Sequence, residues 1–237
     1  MNSESTVGQL VVDRPARARV FEKFGIDYCC GGKKPLAQAC QDDGIDLQQV
    51  LSALDIADTV PAPSERNWAE ASLTDLADHI EQTHHAYMKE EMPRLVYLID
   101  RVVRAHGAHH PELAQVQEVF AAFKAELDQH MIKEEQILFP ICRQLDASAP
   151  LPEFHCGSVA NPIRVMVSEH DNAGQALATM RSLTHDFTPP EGACNTYRAM
   201  LDSLAHLEAD MHQHVHKENN ILFPKAVQIE ARLNEQA

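Results

Sequence analysis

Two eleven-residue stretches, HMIKEEQILFP at 130–140 and HVHKENNILFP at 214–224, are identical at seven positions. Each places a His and a Glu four residues apart, and that spacing constrains the chain more than any other feature. Core-facing positions of a bundle helix recur in alternating steps of three and four. Here the register runs Leu113, Val116, Phe120, Phe123, Leu127, His130, Glu134, Ile137, Ile141, and again Tyr197, Met200, Leu204, Leu207, Met211, His214, Glu218, Ile221. A third stripe is Ile163, Met166, His170, Ala173, Leu177, Met180, and a fourth is His85, Met88, Met92, Leu95, Ile99, Val102. Four helices therefore carry an inward histidine, and two add an inward glutamate. His85 to His130 and His170 to His214 span 45 and 44 residues, which reads as two related helical hairpins that bury their apolar faces against each other.

A bare buried carboxylate costs several kcal/mol, so two of them require positive partners, and no Lys or Arg occupies these registers. A pair of metal ions answers the requirement with six side chains: His85, His130, Glu134, His170, His214 and Glu218. Imidazole with carboxylate and no thiolate points to iron, manganese or zinc. Two His per ion, with both Glu able to bridge, leave room for a bridging oxygen and an open position on each ion, as a small gas needs. The stripe upstream (Leu73, Ala77, Ile80) favours His84 over His85, while the stripe downstream favours His85, which is taken as the ligand. His79, His106, His109, His110, His155, His185, His206, His212 and His216 are expected at the surface or in loops. Glu126 and Asp210 each lie one turn before a ligand histidine and fit either a partner to a ring N–H or a solvated carboxylate.

The rest of the chain suits this reading. Aromatics are 5% and glycines 9 of 237 residues, which favours helices over strands. The expectation is an all-α protein: an up-down four-helix bundle with a small helical N-terminal domain. Helices are expected near Ser72–Ala105, Pro111–Leu145, Asn161–Thr184 and Gly192–Glu230, with Pro93 kinking the first. Residues 1–56 read as short helices: one beginning near Pro15 and stopped by Gly25, then Pro35–Asp42 and Asp46–Leu54. The Pro-rich 57–68 is a linker, and 69–237 is the bundle. A net charge of −15 disfavours nucleic acid and membrane surfaces as partners. The chain shows neither a signal-type N-terminus nor a span of about 20 apolar residues, so a cytoplasmic location is expected.

The six cysteines do not form a disulfide framework. Cys29 and Cys30 sit in YCCGGK, where two glycines expose them and Lys33 and Lys34 would favour thiolate. Such a pair reads as a redox or metal-transfer site, or as a turn with incidental thiols. Cys40, Cys142, Cys156 and Cys194 read as inert.

With DYCCGGK (27–33), HMIKEEQILFP, SEHDNAG (168–174) and HVHKENNILFP together, nearly the whole chain resembles the iron–sulfur cluster repair di-iron family, which joins a Cys-Cys-Gly-Gly domain to a hemerythrin-like bundle. The resemblance implies two iron ions with oxo and carboxylate bridges on the six ligands, with Glu134 and Glu218 bridging. It also implies Cys29 and Cys30 as thiols needed for full activity. The implied role is repair of clusters damaged by nitric oxide or peroxide, with a diferrous centre that binds or reduces nitric oxide. Partners would be nitric oxide or oxygen, damaged iron–sulfur proteins, an electron donor and a second copy in a homodimer. A non-enzymatic nitric oxide or oxygen scavenger or sensor, and a purely structural metal bundle, are the alternatives.

Overall fold

The computed structural model describes residues 4–59, 67–147 and 154–235. Most of the linker expected at 57–68, and part of the break after Leu145, lie outside them. The fold is all-α, as expected: an up-down four-helix bundle with a small helical N-terminal domain. Among the described residues its only extended pairing is an isolated bridge between Thr6 and Pro35.

The N-terminal domain opens with α1 (Val7–Asp13), a helix earlier than the expected start at Pro15; the Thr6 hydroxyl caps it by accepting from the Gln9 amide. Pro15–Arg17 forms a single 3-10 turn, leading into α2 (Ala18–Phe24). Gly25 ends α2 at φ +71°, a left-handed value that costs glycine nothing. Next come α3 (Leu36–Asp42) and α4 (Leu47–Thr59), the latter running past its expected end at Leu54. Val7, Leu10, Phe21, Tyr28, Leu36, Val50 and Leu54 make the core. Each such fully buried large side chain contributes about 1.5–3 kcal/mol. Arg17 ties the helices together, with Nη2 on Asp58 Oδ2 at 2.6 Å and Nη1 on the Leu10 carbonyl at 3.1 Å.

Four helical rods follow. The first is α5 (Leu73–Ile80), a π-helical turn (Glu81–His85) and α6 (Ala86–His106). The second is α7 (Glu112–Lys133), a π turn (Glu134–Leu138) and α8 (Phe139–Ala147). The third is α9 (Ala160–Leu183). The fourth is α10 (Asn195–Lys217), a π turn (Glu218–Leu222) and α11 (Phe223–Glu235). Helix α6 continues through Pro93 without a break. The helices form two compact units, one of Ala77–Gln144 with Glu153–Met211, the other of Met1–Leu76 with Leu145–Pro152 and His212–Ala237.

In the first unit α7 packs on α6 and α9, Arg181 joins α9 to Glu208 of α10, and Arg94 of α6 donates to Ser203 Oγ of α10 at 2.8 Å. The π turns reset the stripes. A π turn spends one residue more than an α turn, so the face pointing inward shifts by one position. Ile137, expected on the inner face, is 49% exposed, and Leu138 fills the core in its place at 1%. Pro140 and Pro224 stand two residues past their turns. A ring there cannot donate to the carbonyl four residues back and crowds it, which favours the wider turn. No described residue belongs to a helix long and apolar enough to cross a membrane.

Candidate metal centre

All three π turns carry a predicted ligand. His85 closes the first, and Glu134 and Glu218 open the other two. The first turn resolves the choice between neighbouring histidines. Four residues after Ile80 comes His84, but the inserted residue moves the inner position to His85, from which Met88 and Met92 follow in register. His85 is fully buried and stacks on Phe139, with ring centroids 5.5 Å apart. His84 is buried as well, yet turns aside, its Nδ1 2.9 Å from Asp210 Oδ1.

Within the Ala77–Met211 unit, His85, His130, Glu134 and His170 converge. Glu134 Oε2 lies 3.3 Å from His85 Nε2 and 3.2 Å from His130 Nε2, and His130 Nε2 lies 3.2 Å from His170 Nε2. One ligand atom from each of His130, Glu134 and His170 falls within 4.8 Å of the others. In the other unit His214 Nε2 and Glu218 Oε1 are 3.1 Å apart, one turn along the fourth rod, and both residues are fully buried.

The outer nitrogens of two of these rings are held by carboxylates. His85 Nδ1 lies 2.8 Å from Glu135 Oε1, and His130 Nδ1 lies 2.9 Å from Glu169 Oε2. A neutral imidazole that donates its Nδ1 proton to a carboxylate keeps the Nε2 lone pair for a metal. Lys89 and Lys133 in turn grip Glu135 and Glu169. Burial works against ionisation of both carboxylates, but the lysine and histidine beside each outweigh it and hold each carboxyl below its usual range. These partners are Glu135 and Glu169; Glu126 and Asp210, for which the sequence left ring partner and solvated carboxylate both open, do not take this part for His85 or His130. Glu126 lines a cleft with Phe123, Leu127 and Ala173 that opens onto His130 and His170, and Asp210 serves His84. Their sequence signal is adjacency: Glu135 follows Glu134, and Glu169 precedes His170.

The donor set fits metal. Glu134 is fully buried against imidazoles already committed as donors on their far side, while the neighbouring lysines are spent on outer carboxylates. A cation would stabilise an ionised carboxylate there, and imidazole with carboxylate suits iron, manganese or zinc.

The cysteines sit in a loop built by Asp27. Its Oδ1 accepts from the amides of Cys29 (2.9 Å) and Cys30 (3.0 Å), and its Oδ2 accepts from Gly31 (2.8 Å). The Cys29 thiol also donates to Oδ1 at 3.2 Å. Cys29 is buried and Cys30 partly so. The expected activation by lysine does not reach Cys29: Lys34 pairs with Asp42 at 2.6 Å. The hydrogen bond with Cys30, burial and the Asp27 charge push the Cys29 thiol well above its ordinary value near 9. A raised folded value stabilises the protonated loop at neutral pH, and that contribution is lost as pH climbs past the unfolded thiol's value. Alkylation of Cys29 by iodoacetamide should accordingly show a midpoint above pH 9; a midpoint at or below 8 would show a thiolate that this loop does not provide.

His216, expected at the surface, is also buried. It meets the Tyr28 ring edge-on at 5.4 Å, and its Nδ1 lies 3.4 Å from the Tyr28 carbonyl. Burial lowers its pKa to about 4, so it is neutral at physiological pH.

Known proteins match this arrangement. Residues 3–58 match ScdA_N, described as a domain of unknown function (DUF542), and residues 76–226 match the hemerythrin HHE cation binding domain. The iron-sulfur cluster repair protein YtfE of Musicola paradisiaca is 37% identical over 232 residues, covering 96% of this chain and 98% of its own. Proteins of the same name from Yersinia pseudotuberculosis and Yersinia pestis are 36% identical over 222 residues, covering 94% of this chain and 96% of theirs.

Proposed function

This chain belongs to the iron–sulfur cluster repair family, in which a ScdA_N domain precedes a hemerythrin HHE domain, and from that premise we propose that it restores iron–sulfur clusters damaged by nitrosative or oxidative stress. In this reading His85, His130, Glu134, His170, His214 and Glu218 are the residues that would hold two iron ions. Residues 1–56 supply the thiols and 69–237 the metal-binding bundle, working in the cytoplasm.

The observation that carries the reading is the fully buried Glu134 carboxylate, set among imidazoles whose outer nitrogens are held by Glu135 and Glu169. The cation-binding family match spans all six ligands, which supports treating them as one centre. Ferrous ions held by these residues would supply open coordination positions for nitric oxide and electrons for its reduction. The protein's own part is to fix the imidazoles, exclude bulk water and admit a diatomic molecule, for which the cleft beside His130 and His170 is a route. The thiols of Cys29 and Cys30 handle redox or iron transfer, and an outside donor returns the electrons.

Two measurements test this. Iron-loaded protein added to an extract whose [4Fe–4S] dehydratase has been inactivated by nitric oxide should speed its reactivation, and His130→Ala should abolish the gain; equal rescue by the variant would refute the role. Release of N2O from the reduced protein would identify turnover. Stable binding without N2O would instead favour the non-enzymatic scavenger or sensor.

A further inference from the structure

The two copies of the repeat differ at only four positions, and two of the differences meet the cysteine loop. Where the first copy has Ile132, 43% exposed, and an exposed Gln136, the second has the buried His216 and the half-buried Asn220. Asn220 Nδ2 donates to the carbonyls of Tyr28 (3.3 Å) and Cys29 (3.1 Å), and also lies 3.3 Å from His216 Nδ1. One turn before His216, Gln213 Nε2 donates to the Tyr28 hydroxyl at 2.8 Å, and that hydroxyl donates to Glu22 at 2.8 Å. The opposite side is made of glycine. The Gly8 amide donates to the Gly32 carbonyl at 2.8 Å, and a Cβ on either glycine would overlap the Asn220 amide. Asn220 thus sits in a notch that only two bare backbones leave open, two residues beyond Glu218 on the same π turn.

A half-buried helical asparagine set against two carbonyls and two glycines is a specific arrangement: a carboxylate of the same shape could not donate, and a longer amide would crowd the glycines. We propose that Asn220, supported by His216, is a positioning residue that clamps the Cys29–Cys30 loop onto the π turn bearing Glu218, so that the second repeat is specialised as the seat of the thiols while the first is not. The proposal rests on the functional reading above, in which the thiols serve the metal centre. The clamp keeps Cys29 sheltered and its backbone fixed relative to a metal ligand.

The test uses the full iron-loaded chain carrying Asn220→Asp, which keeps shape and removes the donor. Its native-state rate of Cys29 alkylation, read by mass spectrometry, should rise at least ten-fold, with iron content and visible spectrum unchanged. Rescue of the damaged dehydratase should fall to the level of Cys29→Ser/Cys30→Ser, and adding Asn220→Asp to that thiol-free variant should cost nothing more, the non-additivity expected of residues acting as one unit. An unchanged alkylation rate, or a further loss in the thiol-free background, would overturn the clamp. Should the thiol-free variant rescue as well as the parent, the role of the thiols falls, while the alkylation rate still decides whether Asn220 holds the loop. If Asn220→Asp fails to fold, Asn220→Ala, which removes the donor without adding bulk, provides the same readouts.

Discussion

Stripping the metal should lower the melting temperature by about 15 °C or more at neutral pH. Ligand bound only by the folded state stabilises it by about 4 kcal/mol per site at a thousand times Kd, and two sites double that. For a chain of this size each kcal/mol is worth about 2–4 °C. The loss has a second origin in the protein, because Glu134 and Glu218 are fully buried and would have to be protonated or hydrated once the cations leave. Calorimetry of iron-loaded and chelator-treated protein checks this. Coincident transitions would mean that the buried carboxylates are satisfied without metal.

That much was legible from spacing. His130 with Glu134, His214 with Glu218, and His170 stand where a three–four periodicity places them, because α7, α9 and α10 are regular up to their ligands. Periodicity fails where the helix stops being α. The His84/His85 ambiguity and the misplaced Ile137 both come from a π turn, whose extra residue leaves no mark in hydrophobicity. His216 was missed because what buries it, Tyr28, is 188 residues away in sequence. Glu135 and Glu169 were missed because each is reached by a histidine from another helix, a pairing that no single helix displays. The lysine activation expected of Cys29 overlooked Asp42 as the closer claimant on Lys34 and Asp27 as the builder of the loop.

The second large effect distinguishes a ligand from a merely buried acid. Glu134→Gln keeps volume and removes the charge. On the proposed di-iron reading, iron should fall from two per chain to at most one, and rescue of the damaged dehydratase should drop more than ten-fold. Stability should change in opposite directions in the two states. With iron present the variant melts below the parent. Without metal it melts at the same temperature or higher, since the parent alone retains a buried ionisable group facing imidazoles at 3.2–3.3 Å. Iron assay with melting curves in both states reads this directly. A variant that keeps two ions, or that is the less stable in the metal-free state, would remove Glu134 from the ligand set.

The widened turns also make chain length a determinant of binding. Dropping one residue between Glu134 and Leu138 would swing everything beyond it through about 100°, carrying the wholly buried Phe139 and Cys142 toward water while leaving composition almost untouched. Homologues that have shed this surplus would retain the hairpin and forfeit the ion. Competence in such bundles is therefore better diagnosed by counting residues between landmarks than by scoring their similarity.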